Sequence, residues 1–255
     1  MMKANARIRR NCVSIESQGS QRAGLTVIEW LVILAILAVL IALLLPGAQR
    51  GVGDAARRTQ CKNNLKQIGL ALHNYHDVYQ AFPPAYTVNT DGQPLHSWRT
   101  LLLPFLDQHA LYDTIDLSKP WDDPANAEAF NTVVPQFFCP SMTIEPTHTT
   151  YMGMVGPEAC LKPTEPRPLS EIKDGTHNTI MVIEASPQDA VHWMAPQDIG
   201  VRFALSFNPD INFDHERGTH ALFVAGHVMF LSADMSNETH QALVTVDGGE
   251  TITDW

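Results

Sequence analysis

Four sets of residues in this 255-residue chain have types and spacing that bear on chemistry. Asp210, Asn212 and Asp214 alternate at steps of two, within an oxygen-rich tract that runs on through His215, Glu216 and His220. Hard cations such as calcium take such oxygen ligands. The steps match the first half of an EF-hand loop, but Glu216 and Arg217 break its pattern of turn glycine and later ligands. The tract therefore reads either as a structural calcium site or as polar residues alternating on an exposed strand or loop. His73, His76 and Asp77 sit at helical spacing, where they serve as metal ligands or as the polar face of the helix. Glu184 ends an apolar run and has the chemistry of a general acid or base, with no partner identifiable from the sequence. The fourth is a single group, Glu29, which lies inside a long apolar stretch.

No familiar catalytic constellation accompanies them. The chain has no P-loop, dinucleotide fingerprint, G-x-S-x-G elbow, C-x-x-C pair or H-E-x-x-H helix. An enzyme is not expected, and function must be read from architecture.

The dominant element is the run from Leu25 to Leu45, in which Glu29 is the one ionisable side chain. At ~1.5 Å per residue, a helix of that length matches a ~30 Å hydrocarbon core. It is too long for the apolar part of an ordinary secretory signal. Lys3, Arg7, Arg9, Arg10 and Arg22 precede it against a single Glu16, so residues 1–24 carry a net charge of +4. They are expected to stay cytoplasmic, placing the bulk of the chain outside the inner membrane. Beyond residue 24 there remain 12 Lys plus Arg against 26 Asp plus Glu. That acidity argues against nucleic acid or anionic lipid as the partner of the external part.

The words Arg22-Ala23-Gly24-Leu25-Thr26-Val27-Ile28-Glu29, followed by the apolar run, resemble the N-terminal signature of type IV pilins and type II secretion pseudopilins. That resemblance implies cleavage by a prepilin peptidase between Gly24 and Leu25, and N-methylation of Leu25. Glu29 then becomes the fifth residue of the mature chain. Its carboxylate, in weakly screened surroundings, would attract the fresh α-amine of an incoming subunit and set axial register.

Pro46 and Gly47 mark the outer end of the span, where a bend is expected, and helical character resumes at Ala48. Leu65, Ile68, Leu72, Tyr75 and Tyr79 recur at steps of three and four, the apolar face of an amphipathic helix. Arg50, Arg57, Arg58, Lys62 and Lys66 take much of its solvent side, and Phe82-Pro83-Pro84 stops it. The stretch from Cys61 through Asn63, Asn64 and His73 to Asp77 is similar to the opening of a large prepilin-like family of planctomycetes and related bacteria. Further likenesses are Ser97-Trp98-Arg99, Phe138-Cys139-Pro140-Ser141 and Asp174-Gly175-Thr176-His177-Asn178-Thr179-Ile180. The family commonly closes on His, nine residues, then Asp-Gly. This chain has His215 at the first position and Ala225-Gly226 at the second. Asp suits left-handed turn geometry and Ala does not, so Ala225 would cost ~1 kcal/mol if the turn were kept.

Cys61, Cys139 and Cys160 lie beyond the leader, which itself holds Cys12. Either Cys139 and Cys160 form a disulfide, worth ~2–4 kcal/mol, or all three are free thiols. The tract around Trp121, Asp122, Asp123 and Asn126 reads as a cation loop or as a solvated turn with Trp121 packed inward. Residues 142–178 read as a long irregular segment rich in Pro, Thr and Gly. Thr179 to Ile183 reads as a strand, and residues 221–224 and 228–231 as a hairpin around Ala225-Gly226-His227. Leu243 to Thr253 is expected to form a terminal hairpin.

The expected fold is α+β and pilin-like, a long N-terminal helix packed on an antiparallel sheet. Residues 1–24 would be the leader, 25–45 the transmembrane assembly helix, 46–81 its amphipathic continuation and 82–255 an extracytoplasmic head. The expected function is a filament or pseudopilus subunit whose partners are prepilin peptidase, other pilin-like subunits and an inner-membrane assembly platform. A membrane-tethered module that binds a solute or carbohydrate without polymerising is the alternative. Structural calcium is the one cofactor the pattern admits.

Overall fold

The computed structural model describes residues 26–44, 46–200 and 218–250, without the side chains of 42–52 and 54. They form a mixed α+β structure in which contacts separate residues 1–50 from 51–255.

In the first unit, helix α1 (Val27–Leu44) opens on a capping box. Thr26 Oγ1 accepts from Glu29 N at 3.4 Å, while Glu29 Oε2 accepts from Thr26 N at 2.7 Å. The Thr-x-x-Glu spacing answers two of the amide donors that a helix start leaves unpaired. Every side chain described on α1, residues 27–41, is exposed, and apart from Glu29 all are apolar. Among the described residues no helix is long and apolar enough to cross a membrane. The span expected over 25–45 has both end residues outside the described set.

Helix α2 (Pro46–Tyr79) starts two residues before the expected resumption at Ala48. A proline at the first helical position loses nothing, because its missing N–H has no intrahelical partner there. Cys61, Leu65, Ile68 and Leu72, at steps of four, three and four, are fully buried. Tyr75 is half-buried, but Tyr79 is exposed, so the expected apolar face ends one turn early. Gln80, at φ 60°, closes the helix by donating its N–H to His76 O at 2.7 Å. Pro83 and Pro84 follow.

Among the described residues, five strands build the main sheet in the order β7 (Ile199–Gly200), β4 (Tyr151–Val155), β5 (Ile180–Glu184), β8 (Gly218–Phe223), β9 (Val228–Ser232). Its pairings are antiparallel except β4 with β7, which corrects the expected antiparallel sheet at one edge. Two short ladders flank it, β1 (Tyr86–Val88) with β2 (Pro94–Ser97) and β3 (His148–Thr149) with β6 (Val191–His192). Both sheet faces are covered. Tyr151, Val182 and Leu222 join the α2 stripe in one core. Met152, Ile183, Ala221 and Phe223 face a second core with Leu243 and Val244 of the C-terminal helix. Burial on both sides explains why β5 reads as a nearly unbroken apolar run. At Gly69 a Cβ would lie 2.7 Å from Leu222 Cδ1, so the glycine lets α2 close on β8.

Short helices α3 (Trp98–Leu101), α4 (His109–Tyr112) and α5 (Ala127–Phe130) lie between β2 and β3. Two segments differ from expectation. Residues 142–178 contain β3 and the inner strand β4, because Tyr151-Met152-Gly153-Met154-Val155 is buried whatever the composition around it. Leu243 and Val244 end helix α6 (Asn237–Val244) rather than begin a hairpin. Ser236 Oγ accepts from Thr239 N at 3.1 Å, a local cap that overrides the β-branched run after it. Residues 251–253, the other half of that expected hairpin, lie outside the described residues.

Candidate functional site

The singled-out residues that the structure describes fall at the start of α1 and in three fastenings of the second unit. At the start of α1, Glu29 caps its own helix through Thr26, whose Oγ1 also donates to Glu29 Oε2 at 2.9 Å. A carboxylate in that position gathers N–H and O–H donors. Gly24 and Leu25 lie outside the described residues, as do Asp210, Asn212, Asp214 and His215.

The first fastening ties α2 to the segment before β3. Cys139 pairs with Cys61, with Cα atoms 5.0 Å apart, and Cys160 is free and buried. This corrects the expected Cys139–Cys160 bridge. Cys61 lies on the same buried stripe as Leu65 and Ile68, so the helix face that makes the core also delivers its sulfur to Cys139. Burial pushes the Cys160 thiol up to about 12. One turn along, Asn64 Nδ2 donates to Phe138 O at 2.8 Å and to Pro135 O at 3.2 Å. Tyr151 OH on β4 donates to Cys61 O at 3.2 Å. Asn63, its neighbour in the same motif, is exposed. The Glu184 carboxylate lies within 4.8 Å of both bridge sulfurs, but joined sulfurs leave no thiolate for a metal. Glu184 is buried and faces His220 Nδ1 at 3.3 Å.

The second fastening surrounds the β8–β9 turn. His73 Nε2 on α2 donates to Val224 O at 2.8 Å, which ties the helix to the turn. A Cβ on Gly226, at φ 85°, would sit 3.6 Å from that ring. Ala225 N donates to Thr176 O at 2.9 Å, and Val224 N to Thr179 O at 2.9 Å. Asp174 Oδ2 accepts from Gly248 N at 2.7 Å and Oδ1 from Gly249 N at 2.9 Å. Asp174 and Gly175, at φ 95°, thus anchor the C-terminal loop and the hairpin together. Among described non-glycine residues only Gln80 and Asp107 have positive φ, so Ala225 escapes the strain expected of it. The left-handed position of this turn is Gly226.

The third fastening is a buried ion pair. Arg99 Nη2 donates to Asp198 Oδ1 at 2.6 Å, and both side chains are almost fully enclosed. Trp98 Nε1 donates to the same carboxylate at 3.1 Å, and Gly153 N at 2.7 Å. Arg99 Nε donates to Tyr151 O at 3.1 Å, and its guanidinium carbon lies 4.9 Å from the Trp98 ring centroid. Burial lowers the Arg99 pKa and raises that of Asp198, and the opposite charge of each resists the shift in the other. Ser97-Trp98-Arg99 thereby joins α3, β4 and the loop before β7. Asp198 was not foreseen, and its sequence neighbours give no signal of the role.

The Trp121 tract takes its packed form. The Trp121 ring stacks 5.7 Å from Phe130, Asp123 Oδ1 caps Ala125 N at 2.9 Å, and Asn126 Nδ2 donates to Pro120 O at 2.9 Å.

The arrangement defines an α+β head whose motif residues hold elements together. Residues 53–204 match a family described as proteins of unknown function, DUF1559 (SBP_bac_10). The match covers more than half of the chain, and the chain belongs to that family. No curated protein and no solved structure matches it.

Proposed function

We propose that the protein is a pilin-like structural subunit, stored in the inner membrane with its head outside and assembled into a filament or pseudopilus after prepilin peptidase trims it. The observation that carries this reading is α1. Its described large apolar side chains, from Val27 to Ile41, are 42–78% exposed. A patch of that extent is rare on a protein surrounded by water alone. Lipid would cover it before assembly, and the same helix in other copies afterwards. Glu29 at its start would exchange the Thr26 donors for a neighbour's α-amine. Motif residues committed to holding the head together are what a structural subunit requires.

The test is to recover the protein from envelope fractions of its own cell and determine its first residue and mass. The expected form starts at N-methylated Leu25 and co-purifies with other pilin-like chains; a form retaining residues 1–24 overturns the reading. Glu29→Ala should abolish assembly while leaving cleavage at Gly24-Leu25 intact.

A tethered solute-binding module is the second reading, favoured by a cleft of about 530 Å³ lined by residues that include Arg167, Lys173, Glu158 and Asp247. Such a module would keep its function in the Glu29→Ala variant.

A further inference from the structure

The cleft of about 530 Å³ lies between the turn that follows β4, the segment leading into β5 and the loop after α6. Its size suits a small solute. Four carboxylates, Glu158, Glu171, Asp247 and Glu250, line it against two cations, Arg167 and Lys173, so acid is in excess by two charges. The end of α6 adds to that sign, because Gln241 and Thr245 also line the cleft and the carbonyls of a helix C-terminus are partly negative.

Part of this charge is answered within the protein. Glu171 Oε2 accepts from Arg167 Nη1 and from Lys162 Nζ, both at 2.8 Å, and Lys173 Nζ donates to Asp247 Oδ2 at 2.5 Å. Glu158 and Glu250 are the remainder. Both are exposed and neither meets a cation among the described residues, while Glu250 accepts a hydrogen bond from Thr245 Oγ1 at 3.2 Å. They mark the cleft for a positively charged guest.

A metal ion does not fit. Among the described residues the one group with three ligand atoms within 4.8 Å of one another is Cys61, Cys139 and Glu184, so the cleft carboxylates do not converge on a point. A hard cation needs such convergence, whereas an organic ammonium group is satisfied by one or two carboxylates. Arg167 sets a second condition. It is 3% exposed at the wall of the cleft, with Nη1 held by Glu171 and Nη2 donating to Pro157 O at 2.6 Å, but its Nε–H has no acceptor among the described residues. An unanswered donor costs free energy, and a guest that brings oxygen acceptors against the guanidinium recovers part of it.

A linear polyamine brings donors alone. A zwitterion brings a carboxylate into a field that is already negative. An amino sugar brings an ammonium group together with neutral hydroxyl oxygens. We infer that the cleft binds a saccharide bearing a free amine, with its ammonium group at Glu158 and Glu250 and its hydroxyl oxygens toward Arg167. The inference rests on the reading of this cleft as a solute site, and holds whether or not the chain polymerises.

The test is isothermal calorimetry on the full chain in detergent micelles, at a pH that keeps sugar amines charged. It compares the glucosamine disaccharide of chitosan, its N-acetylated counterpart from chitin, the neutral disaccharide cellobiose, and spermidine. The glucosamine disaccharide should bind at least about tenfold more tightly than each of the others, and Glu158→Gln and Glu250→Gln should each weaken it at least about fivefold. Both side chains are exposed, so the urea midpoint of the head should not move in either variant. A neutral disaccharide that binds as tightly as the charged one would overturn the amino-sugar assignment and leave the solute site standing. Spermidine binding as tightly would do the same, because oxygen acceptors would then contribute nothing. Binding that neither glutamate variant weakens would place the guest elsewhere and overturn the inference. Binding of none of the four would overturn the inference and the solute-site reading together.

Discussion

Helix α1 and the stripe of α2 from Cys61 to Leu72 are both apolar, yet the protein treats them oppositely. The α2 stripe is narrow, fully buried and pinned by Asn64, His73 and a disulfide. The α1 surface is apolar on all sides, and its described side chains are exposed. The difference separates two uses of the hydrophobic effect. A stripe with polar flanks specifies an intramolecular partner, because only one orientation buries it. An apolar surface without a polar side specifies an environment, since any rotation about the helix axis is equivalent. Stability of the head should therefore depend on the first and not on the second.

The sharpest way to break the comparison is to cut the covalent pin. Cys61→Ser with Cys139→Ser opens a loop with a sequence separation of 78. In the chain-entropy account this loop is worth about 4.5 kcal/mol. The urea midpoint of the head should fall accordingly, and a reducing agent that lowers the wild-type midpoint should leave the variant's unchanged. An unchanged midpoint in the variant would mean that packing alone holds α2 in place.

Matched truncations sharpen it further. Leu65→Ala removes a fully buried side chain and should cost about 3 kcal/mol of head stability. Leu37→Ala removes one that is 52% exposed and should leave the head's urea midpoint unmoved, while weakening retention in the membrane fraction. Equal losses from the two would show that α1 also packs as part of a folded core.

Much of this contrast could be read in the residues. Steps of three and four along α2, the two prolines after it, the apolar run of β5 and the turn at Gly226 each carry a local rule that tertiary structure obeyed. What escaped was non-local. Asp198 partners Arg99 across 99 positions, and no pattern of spacing announces such a pair. The sequence kept Cys139 and Cys160 as a candidate bridge because a moderate loop is cheap to close, whereas the fold brings Cys61 to Cys139 by packing a helix face. Strand β4 was hidden because Pro, Thr and Gly around it outweighed five residues. At α6 the Ser236 cap competed with the strand preference of the residues that follow, and the cap prevailed. The candidate assembly site was legible as a motif, but the capping role of Glu29 emerges only when Thr26 is placed beside it.

The smallest expected effect concerns how the head answers to acid. Burial holds His96, His192 and His240 below the ordinary histidine range. At His192 the geometry adds a reason. Its Nδ1 accepts from Met194 N at 3.2 Å while Nε2 donates to Phe130 O at 2.9 Å, so a second proton on the ring would expel the Met194 donor. These rings bind protons more readily in the unfolded chain than in the fold, and stability therefore rises with pH in the window between the two values. The full contribution is present above the unfolded value of ~6.5 and is lost as pH falls below it toward the folded-state values. The urea midpoint at pH 5.5 should lie below that at pH 7.5, and His192→Phe should shrink the gap even though it lowers both midpoints. If the gap is unchanged in that variant and in His96→Phe, the acid response comes from groups outside these buried rings. Wild-type midpoints that do not change with pH would mean that the buried rings are already free to take up protons in the folded head.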